Sequence, residues 1–241
     1  MSEIYTMTSR MINQSKMLDT VSHNMANVNT VGYKRQDISF KSVLDASQQP
    51  AEYQNTFSTV NEKHTNFEAG SLKLTNNKFD LAYPGDGFFA IKRGENTLYT
   101  KNGQFTLNPT GQLVTLSGET VLGIDKQPID IGLDANVQIT KNGVVKDLDN
   151  GANFGQVAVF KFEKNATLVQ AGDSSFASPN EPEQLLEYDI MVGALEQSNV
   201  NAIQESVKLT EVSRAYQSAA KLVKTFEDLE SKVIKDLYKV Q

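Results

Sequence analysis

The 241 residues, 39% hydrophobic and 22% charged with 15 glycines and 6 prolines, suffice for one large domain or two small ones and fall outside collagen-like, low-complexity and membrane-spanning compositions. Without a cysteine the chain offers no disulfide, thiolate metal site or thiol nucleophile, and with only His23 and His64 it offers no multi-histidine metal centre. The net charge of -6 belongs to the middle, since residues 1–44 hold five Lys/Arg against three Asp/Glu and residues 190–241 hold seven of each. Neither Lys34-Arg35 nor Lys92-Arg93 extends into a basic stripe that could follow a phosphate backbone, so nucleic acid is not an expected partner.

In chain order, Ile4, Met7, Met11, Leu18, Val21, Met25 and Val28 recur in steps of three and four, with Gln14 the one polar member. This pattern predicts a helix, ended where Asn29-Thr30-Val31-Gly32 breaks it. The opening residues carry no apolar run of signal-peptide length, and no run of about 18 apolar residues occurs anywhere, so neither Sec-type secretion nor direct membrane insertion is expected. Residues 45–69 are polar and weakly patterned and read as a connector. From 70 to 190, short β-prone runs such as Phe88-Phe89-Ala90-Ile91 and Val157-Ala158-Val159-Phe160 alternate with Asn102-Gly103, Pro109-Thr110-Gly111, Ser117-Gly118, Asn142-Gly143 and Asn150-Gly151. Glycine supplies the positive φ that tight hairpins need, so an antiparallel β domain is implied. A second helix is predicted from near Asn201, with Ser198 and Asn199 as capping candidates. Its stripe is Leu209, Val212, Tyr216, Ala219, Val223, Phe226, Val233, Leu237 and Val240, with Glu230 polar.

These elements give an α+β class: long N- and C-terminal helices forming a coiled coil, with an inserted, mainly antiparallel β domain. The divisions are 1–44 for the first helix and turn, 45–69 for the connector, 70–190 for the β domain and 191–241 for the returning helix. An isolated amphipathic helix is marginal in water and neither end can cover its own stripe, so inter-subunit packing is expected.

The strings that could carry chemistry have simpler explanations. Gly85-Asp86-Gly87-Phe88-Phe89-Ala90 fits a dinucleotide-loop pattern, but Pro84 precedes it and a strand-like run follows, so it reads as a tight turn starting a strand. Asp147-Leu148-Asp149-Asn150-Gly151 has its glycine one place early for a calcium loop and Ala158 where a bidentate glutamate should close it. Asp130, Asp134, Glu181 and Glu183 show no acid–base pairing, and neither His23 nor His64 sits in a motif. The expectation is a non-enzyme with no catalytic residue, cofactor or metal.

The run from Ser22 to Arg35, with Asn24-Met25-Ala26-Asn27 leading into Thr30-Val31-Gly32-Tyr33-Lys34, closely resembles the N-terminal signature of the flagellar axial proteins, the rod and hook family. Leu72-Lys73-Leu74-Thr75, Asp80-Leu81-Ala82 and Gly85-Asp86-Gly87-Phe88-Phe89 resemble that family's entry into its β domain. Tyr99 to Phe105, Gly111 to Val114 and Val121-Leu122-Gly123 resemble its next block. Gly193 to Asn201, with Arg214-Ala215-Tyr216 beyond, resembles its C-terminal signature. Met25, Tyr33 and Tyr83-Pro84 depart from the commoner residues at their positions. The length and the opening Glu3-Ile4-Tyr5 resemble proximal-rod members, while Arg214-Ala215-Tyr216 looks more like the distal-rod form.

The resemblance implies a non-enzymatic subunit exported through the flagellar type III apparatus and assembled into a helical tube in the basal-body rod, in the periplasmic space. Its implied partners are other copies of itself, neighbouring rod proteins and the export apparatus. On this reading Ile4, Met7, Met11, Leu18, Val21 and Met25 pack against Val212, Tyr216, Ala219, Val223 and Phe226. Asn24, Asn27, Asn29, Thr30 and Gly32 set the helix-ending turn, and Ser198, Asn199 and Asn201 cap the returning helix, with neighbouring subunits as further contacts. A homotrimeric coiled-coil adhesin or phage-tail protein would share the heptads and the β turns. A hydrolase using acidic loop residues would need a pairing that the sequence lacks.

Overall fold

A computed structural model describes residues 2–44, 56–133, 136–163, 166–172 and 174–238. The chain divides into two units, one made of Met1–Ala26, Arg35–Asn66 and Asn201–Gln241, the other of Asn27–Lys34 and Phe67–Val200.

The first unit holds helix α1 (Ser2–Ala26), strands β1 (Gln36–Leu44) and β2 (Thr56–Thr65), and helix α2 (Ala202–Tyr238). β1 and β2 pair antiparallel from Gln36↔Thr65 to Leu44↔Thr56, with a register shift between Ser39 and Phe40. β2 therefore occupies part of the expected connector, whose residues 45–55 lie outside the described ones. α1 packs against α2 and also against both strands of this ribbon.

That arrangement overturns the expected coiled coil: the described chain has two helices and a mostly antiparallel β body, without a long coiled-coil pair. On α1 the buried line includes Asn13, Thr20 and Asn24, which at about 100° per residue lies roughly 130° around the helix from the apolar stripe. In that stripe Met7, Met11, Leu18 and Met25 are only half-buried and Val21 alone is buried. α2, at 37 residues against 25, also runs longer than α1. A three-four repeat in sequence reports an apolar stripe, and the β1–β2 ribbon competes with the second helix to cover α1. The side chains of Ile4, Glu230, Val233 and Leu237, and Val240 altogether, lie outside the described residues.

The second unit is the β body. Its strands are β3 (Leu72–Leu74), β4 (Leu81–Ala82), β5 (Gly87–Arg93), β6 (Asn96–Thr100), β7 (Phe105–Leu107), β8 (Leu113–Thr115), β9 (Thr120–Val121) and β10 (Val137–Ile139). They continue as β11 (Val144–Asp147), β12 (Asn153–Gln156), β13 (Val159–Lys161), β14 (Val169–Gly172), β15 (Ser175–Ala177), β16 (Glu183–Gln184), β17 (Met191–Val192) and β18 (Ala194–Glu196). A nine-stranded sheet runs β14-β15-β6-β5-β9-β8-β7, with β13 joining β5 and β16 joining β13; β10-β11-β12, β17-β4 and β18-β3 form smaller sheets. The named pairings are antiparallel, as the turns predict. β5 is buried on both faces: Phe89 and Ile91 join an aliphatic core with Leu81, Phe105, Leu113, Val121 and Val157. Phe88 and Ala90 join an aromatic cluster with Tyr99, Phe160, Phe162 and Phe176.

Candidate functional site

The expected helix-ending turn is built as two adjoining pieces. Asn24, 1% exposed, uses its amide as a strand edge: its Oδ1 accepts from the Gln36 backbone N–H at 2.9 Å and its Nδ2 donates to the Gln36 carbonyl at 2.8 Å. An apolar residue there would leave both backbone groups without these bonds, so the last turn of α1 carries asparagine at this position. In the second unit, Thr30 N–H donates to the Asn27 carbonyl and Thr30 Oγ1 to Asn27 Oδ1, both at 3.1 Å. Gly32 follows at φ +67°, and its N–H donates to the Glu196 carbonyl at 2.8 Å. A Cβ at Gly32 would stand 2.4 Å from the Asn102 backbone nitrogen, so this turn requires glycine twice over. Asn29 is exposed.

Just past this turn lies a buried ionic cluster that the sequence reading missed. Lys34 Nζ donates to Glu196 Oε1 at 2.6 Å and to the Glu68 carbonyl at 2.6 Å, and the two side chains are 0% and 2% exposed. Glu196 Oε1 also accepts from Gly70 N–H at 2.9 Å, while Lys101 Nζ lies 3.7 Å from Oε2. Lys101 donates to the Gly85 carbonyl and sits 5.7 Å from the Tyr83 ring centroid and 5.3 Å from that of Phe88. Burial lowers the Lys101 pKa from 10.5 to about 8, opposed by the Glu196 charge and reinforced by that of Lys34, with Asp86 raising it. The one sequence signal for this cluster was a glutamate in an otherwise apolar strand, Ala194-Leu195-Glu196.

At the returning helix the cap is Asn201 alone. Its Oδ1 accepts from the N–H groups of Ile203 at 3.0 Å and Gln204 at 3.2 Å. Ser198 Oγ accepts from Val200 N–H instead, and Asn199 Nδ2 donates to the Glu68 carbonyl at 3.0 Å. In the first turn of α2, Glu205 is 1% exposed, with Arg35 Nη1 at 4.0 Å and Lys208 Nζ at 3.3 Å from its Oε1; its Oε2 has no hydrogen-bond partner.

Of the expected packing residues on α2, Val212 and Ala219 are buried, and Tyr216, Val223 and Phe226 are half-buried. The helix carries a second apolar stripe. Ile203, Val207, Leu222 and Leu229 are exposed by 78, 54, 49 and 51%. At about 100° per residue they fall within one arc of roughly 100°, centred some 140° from the buried stripe. On α1, Ile12 is likewise exposed.

The chemical strings resolve as architecture. β5 begins at Gly87, and a Cβ at Gly85 or Gly87 would meet the Tyr83 ring at 2.6 or 2.8 Å, so these glycines make room for an aromatic side chain. Asp147 Oδ1 accepts from Asp149 N–H and its carbonyl from Gly151 N–H, making the link between β11 and β12. Among the described residues no group of three or more His, Asp or Glu could hold a metal ion. A surface cavity of about 460 Å³ is lined by Asn142, Gln156, Leu186, Glu187, Tyr188 and Asp189.

Three family models match along the chain. The flagella basal body rod protein model covers residues 4–34, the flagellar hook protein FlgE/F/G D1 domain covers 82–147 and the flagellar basal body rod FlgEFG protein C-terminal covers 191–236. The flagellar basal-body rod protein FlgF of Caulobacter vibrioides is 31% identical over 98% of each chain. The chain belongs to the flagellar basal-body rod family. FlgF of Mesorhizobium japonicum is 29% identical over 97% of each chain, and the rod protein FlgG of Agrobacterium fabrum is 31% identical over 93% of this chain and 95% of its own. As a family member the chain is a structural subunit of the rod, located in the flagellar basal body. Among the described residues no helix is long and apolar enough to cross a membrane. Lys34, Lys101 and Glu196, which meet in the buried cluster, each come from a different matched segment.

Proposed function

We propose that the chain works mechanically, joining copies of itself and neighbouring rod proteins into a helical tube that transmits torque and encloses the export channel. It reaches that tube through the flagellar type III apparatus, and among rod subunits it takes the FlgF role in the proximal rod. The observation that carries the assembly reading is the second stripe of α2. Ile203, Val207, Leu222 and Leu229 hold apolar surface in water on a helix whose opposite face is already packed, an arrangement that association would relieve. The interface assigned here comprises these residues with the half-buried Met7, Met11, Leu18, Met25, Tyr216, Val223 and Phe226. Asn24, Asn27, Thr30 and Gly32 serve it by setting the chain's exit from α1, and Asn201 by capping α2.

The test is Leu222→Asp. Because Leu222 is exposed, the monomer keeps its circular dichroism spectrum and unfolding midpoint, while motility and recovery of the chain in purified hook–basal bodies are lost. Normal incorporation of a folded variant overturns the interface. Counting the chain against the hook subunit by mass spectrometry tests its place: a few copies support the proximal role, many copies the distal one.

A further inference from the structure

Glu196 accepts hydrogen bonds through both its backbone and its carboxylate, and its donors come from distant parts of the chain. Its carbonyl takes the Gly32 N–H at 2.8 Å, and its Oε1 takes Lys34 Nζ at 2.6 Å and Gly70 N–H at 2.9 Å. Around these, Lys34 also donates to the Glu68 carbonyl and Asn199 N–H to the Tyr33 carbonyl, with Tyr33 2% exposed. The cluster holds two ammonium groups and one carboxylate at 3% exposure or less. Without its carboxylate, Lys34 would be a buried cation facing a second one, a state that costs far more than moving the lysine into water.

We propose that Glu196 is a positioning residue, the bolt of a conformational latch. It holds residues 27–34 and 68–70 to the segment 194–199 as one cooperative piece, which opens while the rest of the β body stays folded. The segment leaving α1 and the segment leading to α2 are thus released together or held together. This does not depend on the assembly reading, since it concerns the single chain.

Amide hydrogen exchange on the full-length protein tests it. In Glu196→Gln, exchange at Gly32, Tyr33, Gly70 and Asn199 accelerates roughly 100-fold or more, the scale of breaking a buried pair, while amides of β5 and β8 keep their wild-type rates. Lys34→Met gives the same pattern, and the double variant adds little to either single one. Unchanged protection at Gly32 overturns the proposal, as does equal acceleration throughout β5 and β8, which would make Glu196 a general stability residue. A measurement on the wild-type chain covers failure of the variants to fold. As urea rises, Gly32 and Gln197, whose N–H donates to the Ser71 carbonyl, open with one common dependence below that of β5. Opening of Gly32 with Gln197 still closed overturns the latch.

Discussion

Replacing Gly32 by alanine tests the helix-ending turn against a built-in control. At φ +67° an L-residue costs roughly 1–2 kcal/mol relative to glycine. The added Cβ would stand 2.4 Å from Asn102 N, 2.6 Å from Lys101 C and 2.7 Å from Asn102 Cα, all backbone atoms that no rotamer change can move. Relief requires shifting the 29–33 backbone, which breaks the buried Gly32-to-Glu196 hydrogen bond for a further ~1–3 kcal/mol. The sum is a loss of about 2–5 kcal/mol. Gly118 sits at φ +90° with nothing within 4 Å of a Cβ, so Gly118→Ala carries the backbone cost alone, roughly 1–2 kcal/mol. Urea unfolding of the two variants and the wild type, followed by circular dichroism, gives both numbers from the midpoints and slopes. Equal losses within about 0.5 kcal/mol would refute the close approach of the turn to residues 101–102.

Lys101 predicts a pH dependence. Folded, it releases its proton near pH 8, against 10.5 when exposed, so between those values the unfolded chain holds more protons and stability rises with pH. The contribution is complete above 10.5 and lost as pH falls through 8; its upper bound is about 3 kcal/mol. Urea midpoints from pH 7 to 10 check it: the wild type gains on Lys101→Met as pH rises, and a flat or opposite difference counts against the buried cation. Ser174 stands at φ 55° with a buried hydroxyl that has no hydrogen-bond partner, so Ser174→Gly stabilises by about 1 kcal/mol and raises the thermal midpoint. A lower midpoint would mean that the hydroxyl is paired.

Sequence and fold agree where local chemistry decides. The glycines at 111, 118, 143 and 151 take positive φ and join β7–β8, β8–β9, β10–β11 and β11–β12, as their turn dipeptides predict. Asn102-Gly103 belongs elsewhere: a Cβ at Gly103 would lie 1.7 Å from the Leu81 carbonyl, so that glycine permits a close crossing of backbones. The start of α2 was legible from Asn201, because a cap acts within a few residues, whereas α1 ends at Ala26, ahead of the Asn29–Gly32 break in the pattern. What covers α1 was not legible, since the ribbon that competes for it pairs residues 36–44 with 56–65 through polar sequence. Glu196 was hidden for a similar reason, with Lys34 lying 162 positions away in sequence. Tertiary partners at such separations leave only an indirect trace, here a charged residue inside a buried strand.

β5 pairs with β6 along Phe89–Arg93 on one edge, and its other edge is shared by β9 at Ile91–Lys92 and β13 at Gly87–Phe89. β6 and β9 follow within about thirty residues, but β13 arrives some seventy residues later, after the residues of the separate β10–β12 sheet. A chain emerging during synthesis therefore carries a half-finished central strand for a long stretch of elongation. Any product that stops before Val159 lacks β13 and leaves the backbone edge beside Phe88 and Phe89 without that partner, a ready template for another strand. Premature termination in this gene segment is thus a route to insoluble aggregates as well as to lost rods.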